Sequence, residues 1–242
     1  MNKTDRLYAN PLPELTAFQF DASVAAVFAD MIKRSVPGYE AIIAMIGELA
    51  GRYGQAGTNC YDLGCSLGAA SLAMAEGLHD KSCKIIGVDN SAEMLERCRT
   101  LLANSRSSIP IELVCDDVCS VAVDDASIIV LNFTLQFIPL THRQNLINRL
   151  HQSLVPGGVL IVSEKICFAD AHHQQLMTEL HHNFKRANGY SELEIAQKRN
   201  ALENVLIPET LAQHRQRFAQ AGFSHSDVWF QCFNFASMLA TR

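Results

Sequence analysis

Asp62, Gly64, Gly68 and Asp89 are the residues of this chain whose types and spacing best suit shared chemistry. The run Asn59-Cys60-Tyr61-Asp62-Leu63-Gly64-Cys65-Ser66-Leu67-Gly68 closes an apolar strand with an acid, turns on glycine and opens a helix at Gly68-Ala69-Ala70. Gly64 lets the backbone approach a ligand closely. The helix behind it points unpaired amides and the positive end of its dipole into the same space. A second strand, Lys84-Ile85-Ile86-Gly87-Val88, ends in Asp89. That acid lies about 20 residues past the turn, the offset of a ribose-binding carboxylate. A ligand-free strand–turn–helix explains the glycine turn alone equally well, and Asp89 tips the reading to a nucleoside-binding βαβ unit.

The glycine pattern narrows the nucleoside. A dinucleotide site uses Gly-x-Gly-x-x-Gly so that backbone amides can hold a pyrophosphate. Here Ser66 stands where the second glycine would be, and Asp62 precedes the turn. A carboxylate there repels a pyrophosphate and suits a ligand with an ammonium group. Asp-x-Gly-x-x-x-Gly followed by a second-strand acid resembles the S-adenosylmethionine (SAM) site of Rossmann-like methyltransferases.

The elements that must position these residues follow from periodicity. Strands are expected at 59–63, 84–89, 111–115, 127–132 and 158–163, with helices near 68–79, 91–104 and 141–154. Ser91 is placed to cap the helix opening at Ala92, and Pro156-Gly157-Gly158 ends the 141–154 helix. Regular alternation implies a mostly parallel sheet with helices on both faces and a ligand crevice at the carboxyl ends of the strands. Gly64, Asp89, Asp117 and Asn132 all fall at such ends. Before this unit, residues 1 to about 20 read as irregular, punctuated by Pro11 and Pro13. Helical spacing follows at Val24, Val27, Phe28, Met31 and Ile32, then a turn at Ser35-Val36-Pro37-Gly38-Tyr39 and a helix over Ile42 to Leu49. Residues 1–55 can lie across the crevice or simply pack on the domain. Residues 165–206 read as a polar, His-rich helical insertion. A helix near 209–221, with Pro208 at its start and Gly222 past its end, leads to strands Asp227–Phe233 and Phe235–Ala240 as an edge hairpin. The expected fold is a single α/β domain over 1–242, with a seven-stranded, mostly parallel sheet.

The chain's 242 residues, 48% hydrophobic and 19% charged, suffice for one large core. A formal charge of -5 and a pI near 6.0 argue against a broad phosphate-binding face. No run of 18 apolar residues occurs, and Met1-Asn2-Lys3-Thr4-Asp5-Arg6 has no apolar signal core, so a cytoplasmic location is expected. The eight cysteines form no Cys-x-x-Cys pair and read as buried, reduced thiols, with Cys115 after an apolar strand as the example. His172-His173 and His181-His182 lack zinc spacing and read as a solvated or partly packed helix face. No metal is expected.

Beyond the SAM motif, the chain resembles the carboxy-S-adenosyl-L-methionine synthase family over nearly its whole length. The segments that carry this are Arg34-Ser35-Val36-Pro37-Gly38-Tyr39, Val88-Asp89-Asn90-Ser91, Val130-Leu131-Asn132-Phe133-Thr134-Leu135-Gln136-Phe137, Phe184-Lys185-Arg186-Ala187-Asn188-Gly189-Tyr190-Ser191-Glu192-Leu193-Glu194 and Trp229-Phe230-Gln231-Cys232-Phe233-Asn234-Phe235. The Lys-Arg-Ala-Asn-Gly-Tyr-Ser-Glu run is the most specific of them. Generic methyltransferases share only the 59–132 portion.

The resemblance implies synthesis of carboxy-SAM from SAM and prephenate with release of phenylpyruvate. It also implies a homodimer, and a product passed to a later enzyme that modifies wobble uridine in tRNA. Matching motifs imply a ligand shell of Tyr39, Gly64, Cys65, Ser66, Asp89, Asn90, Asp117, Val118 and Asn132, with Arg199 on the product carboxylate. Asp116 stands where the family commonly has glycine, so either Asp116 or Asp117 can meet the adenine amino group. No residue is expected to act as general base, because aromatisation of prephenate releases both CO2 and a basic equivalent. An ordinary small-molecule SAM-dependent methyltransferase and a non-catalytic SAM-binding regulatory module are the competing readings. A dehydrogenase ranks third.

Overall fold

In the computed structural model, which describes residues 4–12, 16–105 and 107–242, the alternation starting at Asn59 builds a seven-stranded sheet. Pro13 and the first three residues, to which the sequence reading assigned an irregular start, lie outside the described residues. The strands are β1 (Asn59–Leu63), β2 (Lys84–Asp89), β3 (Ile111–Cys115), β4 (Ala126–Asn132), β5 (Leu154–Lys165), β6 (His225–Cys232) and β7 (Phe235–Thr241). Their spatial order is β3-β2-β1-β4-β5-β7-β6, parallel up to β5, with β7 antiparallel to both neighbours. The order reverses between β1 and β4, and a crevice opens beyond the carboxyl ends of strands at such a point. β5 starts earlier than expected: the chain passes straight from helix into extended backbone at Leu154, so Pro156-Gly157-Gly158 lies within the strand.

The helices are α1 (Ala22–Ser35), α2 (Tyr39–Tyr53), α3 (Ala69–Gly77), α4 (Ala92–Leu102), α5 (Leu140–Ser153), α6 (Ala171–Ala187), α7 (Glu192–Leu202) and α8 (Leu211–Ala221). Side-chain caps fix where several begin. Asp21 accepts from the Val24 amide, Ser91 from Met94 and Asp170 from His173. Ser191 with Glu194, and Thr210 with Gln213, form reciprocal capping boxes. The second box starts α8 at Leu211, so Pro208 lies outside the helix it was expected to open.

The central strands are apolar throughout, as burial on both faces requires: Ile128, Ile129, Val130 and Leu131 are inaccessible to solvent. On one face, Leu146, Ile147 and Leu150 of α5 and Phe218 of α8 pack on Leu63, Ile129 and Val162. On the other, Ile42 and Ile46 of α2 and Ala70 and Met74 of α3 pack on Cys60, Ile128 and Ile161. α2 and α3 touch almost backbone to backbone, since a Cβ on Gly77 would fall 2.0 Å from the Gly47 carbonyl oxygen. A third cluster joins Val24, Val27 and Met31 of α1 to Met94 of α4 and Ala201 of α7. The N-terminal helix α1 and helix α7 of the insertion therefore pack together.

Candidate functional site

The turn after β1 is built by strand β2. The amides of Gly64 and Cys65 both donate to the Val88 carbonyl, at 2.7 and 2.9 Å. The Ser66 amide donates to Asp89 Oδ2 at 2.9 Å, and Ser91 N donates to Asp89 Oδ1 at 2.9 Å. This corrects the expectation of unpaired amides aimed at the ligand. The first three of the turn are used to hold it in shape, and that leaves no anion cradle for a pyrophosphate. Gly64 sits at φ +82°, and a Cβ there would meet Thr134 Oγ1 at 2.3 Å. The turns after β1 and β4 thus interlock. Ser66, in the place of a second glycine, adopts the same left-handed backbone at φ 49°.

Asp62 and Asn132 lie on the sheet face covered by α2 and α3. Asp62 is buried and accepts from Ser71 Oγ of α3 at 2.6 Å. Burial raises its carboxyl to about 6, although the Ser71 hydroxyl and amide act in the opposite direction. Tyr39, the first residue of α2, is half-buried, with its ring 6.3 Å from that of Phe133. Burial, and then the charge of Asp62, push its phenol above the ordinary range. Asn132 ends β4, and its Oδ1 is buried without a hydrogen-bond partner among the described residues. An orphaned acceptor at the switch point can take one more hydrogen bond from a donor.

The segment after Asn132 is fixed from the opposite face. Glu164 of β5 accepts from the Leu135 and Gln136 amides, each at 2.9 Å. Arg143 of α5 is bonded to the carbonyls of Gln136, Ile138 and Ile207 and to Glu209, which also pairs with Arg217. Burial raises Glu164 to about 8, with Arg143 opposing that rise.

The remaining expected site residues are distributed unevenly. Asn90 and Asp117 are exposed at the ends of β2 and β3, and Val118 is buried beside them. Asp117 Oδ1 accepts from Cys119 N, and Asp116 Oδ1 from Asp117 N, both at 2.7 Å. The Cys65 side chain turns inward toward Gly87 and Cys98. Arg199 is exposed in the last turn of α7. It forms no ion pair among the described residues and lies 3.4 Å from Asn200 Oδ1. Cys60, Cys65, Cys83 and Cys98 are buried, but Cys115, read as a buried strand thiol, is exposed; Cys119, Cys167 and Cys232 are partly exposed. β3 is an edge strand with one open side, and that places Cys115 in solvent.

His172 and His173 are solvated, as expected of a helix face, but His181 is 4% exposed. Its Nε2 donates to the Ser35 carbonyl at 2.8 Å, and its ring packs edge-on to Phe235. It belongs to a cluster that sequence reasoning missed, comprising Lys165, Lys185 and Lys198 with Asp5 and Tyr190. Lys198 reaches Ser35 Oγ at 3.1 Å and Asp5 Oδ2 at 3.5 Å. Tyr190 donates to Asp5, and Arg34 stacks 3.9 Å over the Tyr190 ring. The available signal was Glu164-Lys165 inside an apolar strand, where charge must have a reason to be buried. Among the described residues no three His, Cys, Asp or Glu side chains converge to hold a metal, and no helix is long and apolar enough to cross a membrane.

Comparison with known proteins agrees with this geometry. A family described as "Methyltransferase domain" matches residues 61–158. The carboxy-S-adenosyl-L-methionine synthase of Geobacter sp. (strain M21) is 59% identical over 99% of both chains. The protein of the same name from Aliivibrio fischeri is 51% identical over the full length of both. The chain belongs to the carboxy-S-adenosyl-L-methionine synthase family. Among solved structures, human N-acetylserotonin methyltransferase in complex with SAM superposes with a TM-score of 0.62 at 16% identity, over 91% of this chain and 55% of that one. Magnesium protoporphyrin IX methyltransferase from Synechocystis PCC 6803 with bound SAH gives 0.59 at 14% identity, over 88% and 87%. These likenesses place the carboxy-SAM synthase family within the Rossmann-like class I methyltransferase fold.

Proposed function

We infer that this protein makes carboxy-SAM from SAM and prephenate, releasing phenylpyruvate, and so supplies the carboxymethyl donor for 5-oxyacetyl modification of wobble uridine in tRNA. The observation that carries the reading is the unpartnered Asn132 oxygen at the end of β4, on the same sheet face as Asp62 of the neighbouring β1. This is a polar, partly anionic pocket of the kind a sulfonium amino acid fits. Asp89 keeps acceptor capacity on both oxygens for the ribose hydroxyls, each oxygen having so far taken one amide. Asn90, Asp117 and Val118 frame the adenine, and Asp62 and Asn132 take the ammonium.

When both substrates are held, prephenate supplies CO2 and the base that takes a proton from the SAM methyl. The protein's part is to hold the partners together and keep water out, worth about 7–11 kcal/mol for a well-oriented pair. Asp62 and Glu164, although raised by burial, are engaged by Ser71 and by two amides, so neither is assigned as a base.

Several narrower elements belong to the same proposal. The chain acts as one SAM-binding unit in which α1–α2 and α6–α7 form the cover. It works in the cytoplasm as a homodimer, on free SAM without tRNA. Arg199 holds the added carboxylate once product forms. Arg199→Ala then weakens carboxy-SAM by tenfold or more, an effect of about 1.4 kcal/mol or above, and leaves SAM nearly unchanged. Competition binding of the two ligands checks this, and equal losses would remove Arg199 from the carboxylate. The reaction itself is tested by mass spectrometry of SAM incubated with the protein, with and without prephenate. A gain of CO2 on SAM only when prephenate is present is expected. Methylation of an acceptor instead would establish a methyltransferase.

A further inference from the structure

The three lysines of this cluster are not equivalent. Lys198 is neutralised by Asp5 and hydrogen-bonded to Ser35, so it serves the architecture. The ammonium of Lys185, a residue 7% exposed in the last turn of α6, has no hydrogen bond or ion pair among the described residues. Lys165, the half-buried last residue of β5, has no partner for its ammonium among the described residues either. By strand alternation Lys165 shares the sheet face of Ile161, the face on which Asn132 of β4 also lies; Asn132 pairs in register with Ser163. The two lysines are within electrostatic reach of each other and of His181. His181 is committed to the Ser35 carbonyl and adds no positive charge. Burying an ammonium without an ion-pair partner is costly, and the buried Lys185 with the half-buried Lys165 near it describes a seat for an anion.

The crevice already has an occupant for its acidic half. Resting on the reaction proposed above, we propose that Lys165 and Lys185 bind the side-chain carboxylate of prephenate, the carboxylate that survives in phenylpyruvate. Chemistry selects that group over the ring carboxylate. In the reaction the ring C–C bond breaks to release CO2, its electron pair enters the ring, and the C–O bond breaks to release hydroxide. Hydroxide takes a proton from the SAM methyl and becomes water; the methyl carbon then bonds to CO2. A carboxylate tied to two ammonium groups would have to give up those ion pairs in order to leave as neutral CO2. Held by its other end, prephenate presents its ring carboxylate to the aromatic wall of Tyr39, Phe133 and Phe235, where loss of charge is favoured. Two ammonium groups also match a dianionic substrate entering beside the carboxylates Asp62 and Asp89.

Phenylpyruvate is the probe, because it carries this carboxylate and lacks the other. Titration into wild type, Lys165→Met and Lys185→Met should show affinity falling at least about tenfold in each variant, as for loss of a charge-assisted contact. SAM affinity should stay within about twofold. In turnover, the KM for prephenate should rise by a similar factor. The Lys185→Met melting temperature should not fall, since the variant removes an unpaired buried charge. Unchanged phenylpyruvate binding in both variants overturns the proposal, as does an equal loss of SAM. A raised prephenate KM with unchanged phenylpyruvate binding would assign the lysines to the ring carboxylate and overturn the choice made here. If wild type makes no carboxy-SAM at all, the reaction is wrong; phenylpyruvate binding that still depends on Lys185 would then leave the carboxylate seat standing.

Discussion

The two sides of the crevice solve opposite problems. On the β1–β2 side every polar group that shapes the turn is satisfied within the protein: Val88 takes two amides, and Asp89 takes those of Ser66 and Ser91. On the β4–β5 side the polar groups are left wanting. Among the described residues Asn132 Oδ1 has no partner, and the Lys165 and Lys185 ammonium groups form no ion pair. The first side is a preformed cradle whose shape exists without ligand. The second stores unfavourable desolvation that a ligand relieves, and such a region gains most from binding.

If the cradle is rigid, damage to it should be felt in the fold as well as in binding. Gly64→Ala places a side chain at φ +82° and against Thr134. The left-handed backbone costs about 1–2 kcal/mol and overpacking about 1–3 more. Urea unfolding should therefore show a loss of about 2–5 kcal/mol. A loss under about 1 kcal/mol would mean the two turns are free to separate. Asp89→Ala should weaken SAM by about 1.5–3 kcal/mol, roughly ten- to a hundredfold, by titration calorimetry. An unchanged dissociation constant would remove Asp89 from the ligand site.

The opposite side predicts a trade between stability and binding. Asn132→Leu replaces an orphaned amide with an apolar group of similar size. It should raise ligand-free stability by about 1 kcal/mol while weakening SAM by a similar amount. Loss of both would show that Asn132 is structural.

The smallest expected effect separates the sides by pH. Burial, with Lys198 and Lys165 nearby, lowers the Lys185 ammonium to about 7, and Asp5 only partly offsets this. A lysine depressed by folding contributes stability that is complete above its unfolded value near 10.5 and is lost as pH falls through about 7. The melting-temperature gap by which Lys185→Met exceeds wild type should therefore be widest below pH ~7 and close as pH rises toward ~10.5. A gap that does not change with pH would mean that Lys185 does not titrate in this way.

This difference also decides what could be read from the sequence. The cradle is local: Asp62, Gly64 and Ser66 are adjacent, and Asp89 follows at a fixed offset, so spacing alone reports it. The parallel sheet was legible for a similar reason, because strands buried on both faces must be continuous apolar runs such as Ile128-Ile129-Val130-Leu131. The cationic side joins residues 5, 35, 165, 181, 185 and 198 from four elements and the segment before α1, and no window of sequence holds more than a few of them. Periodicity could place α6 as a polar helix but could not say that Lys185 and His181 turn inward. Nor could it show that Arg199 faces out while Lys198, one residue earlier, is buried. The use of the turn amides was missed because glycine spacing describes backbone freedom, whereas their partners, Val88 and Asp89, are set by strand register.

The ties between Asp5 and Tyr190 and between Phe18 and Ala201 span most of the polypeptide. Asp5 leaves the ribosome 185 residues ahead of its partner. At about 5–20 residues per second it waits roughly 10–40 s before the cover over the crevice can close. The strand ends from Gly64 to Thr134 are all made a little past halfway through synthesis, whereas the tie across them waits for Tyr190 and Ala201. A nascent protein therefore acquires the means to hold one reactant well before it acquires the means to shelter the reaction.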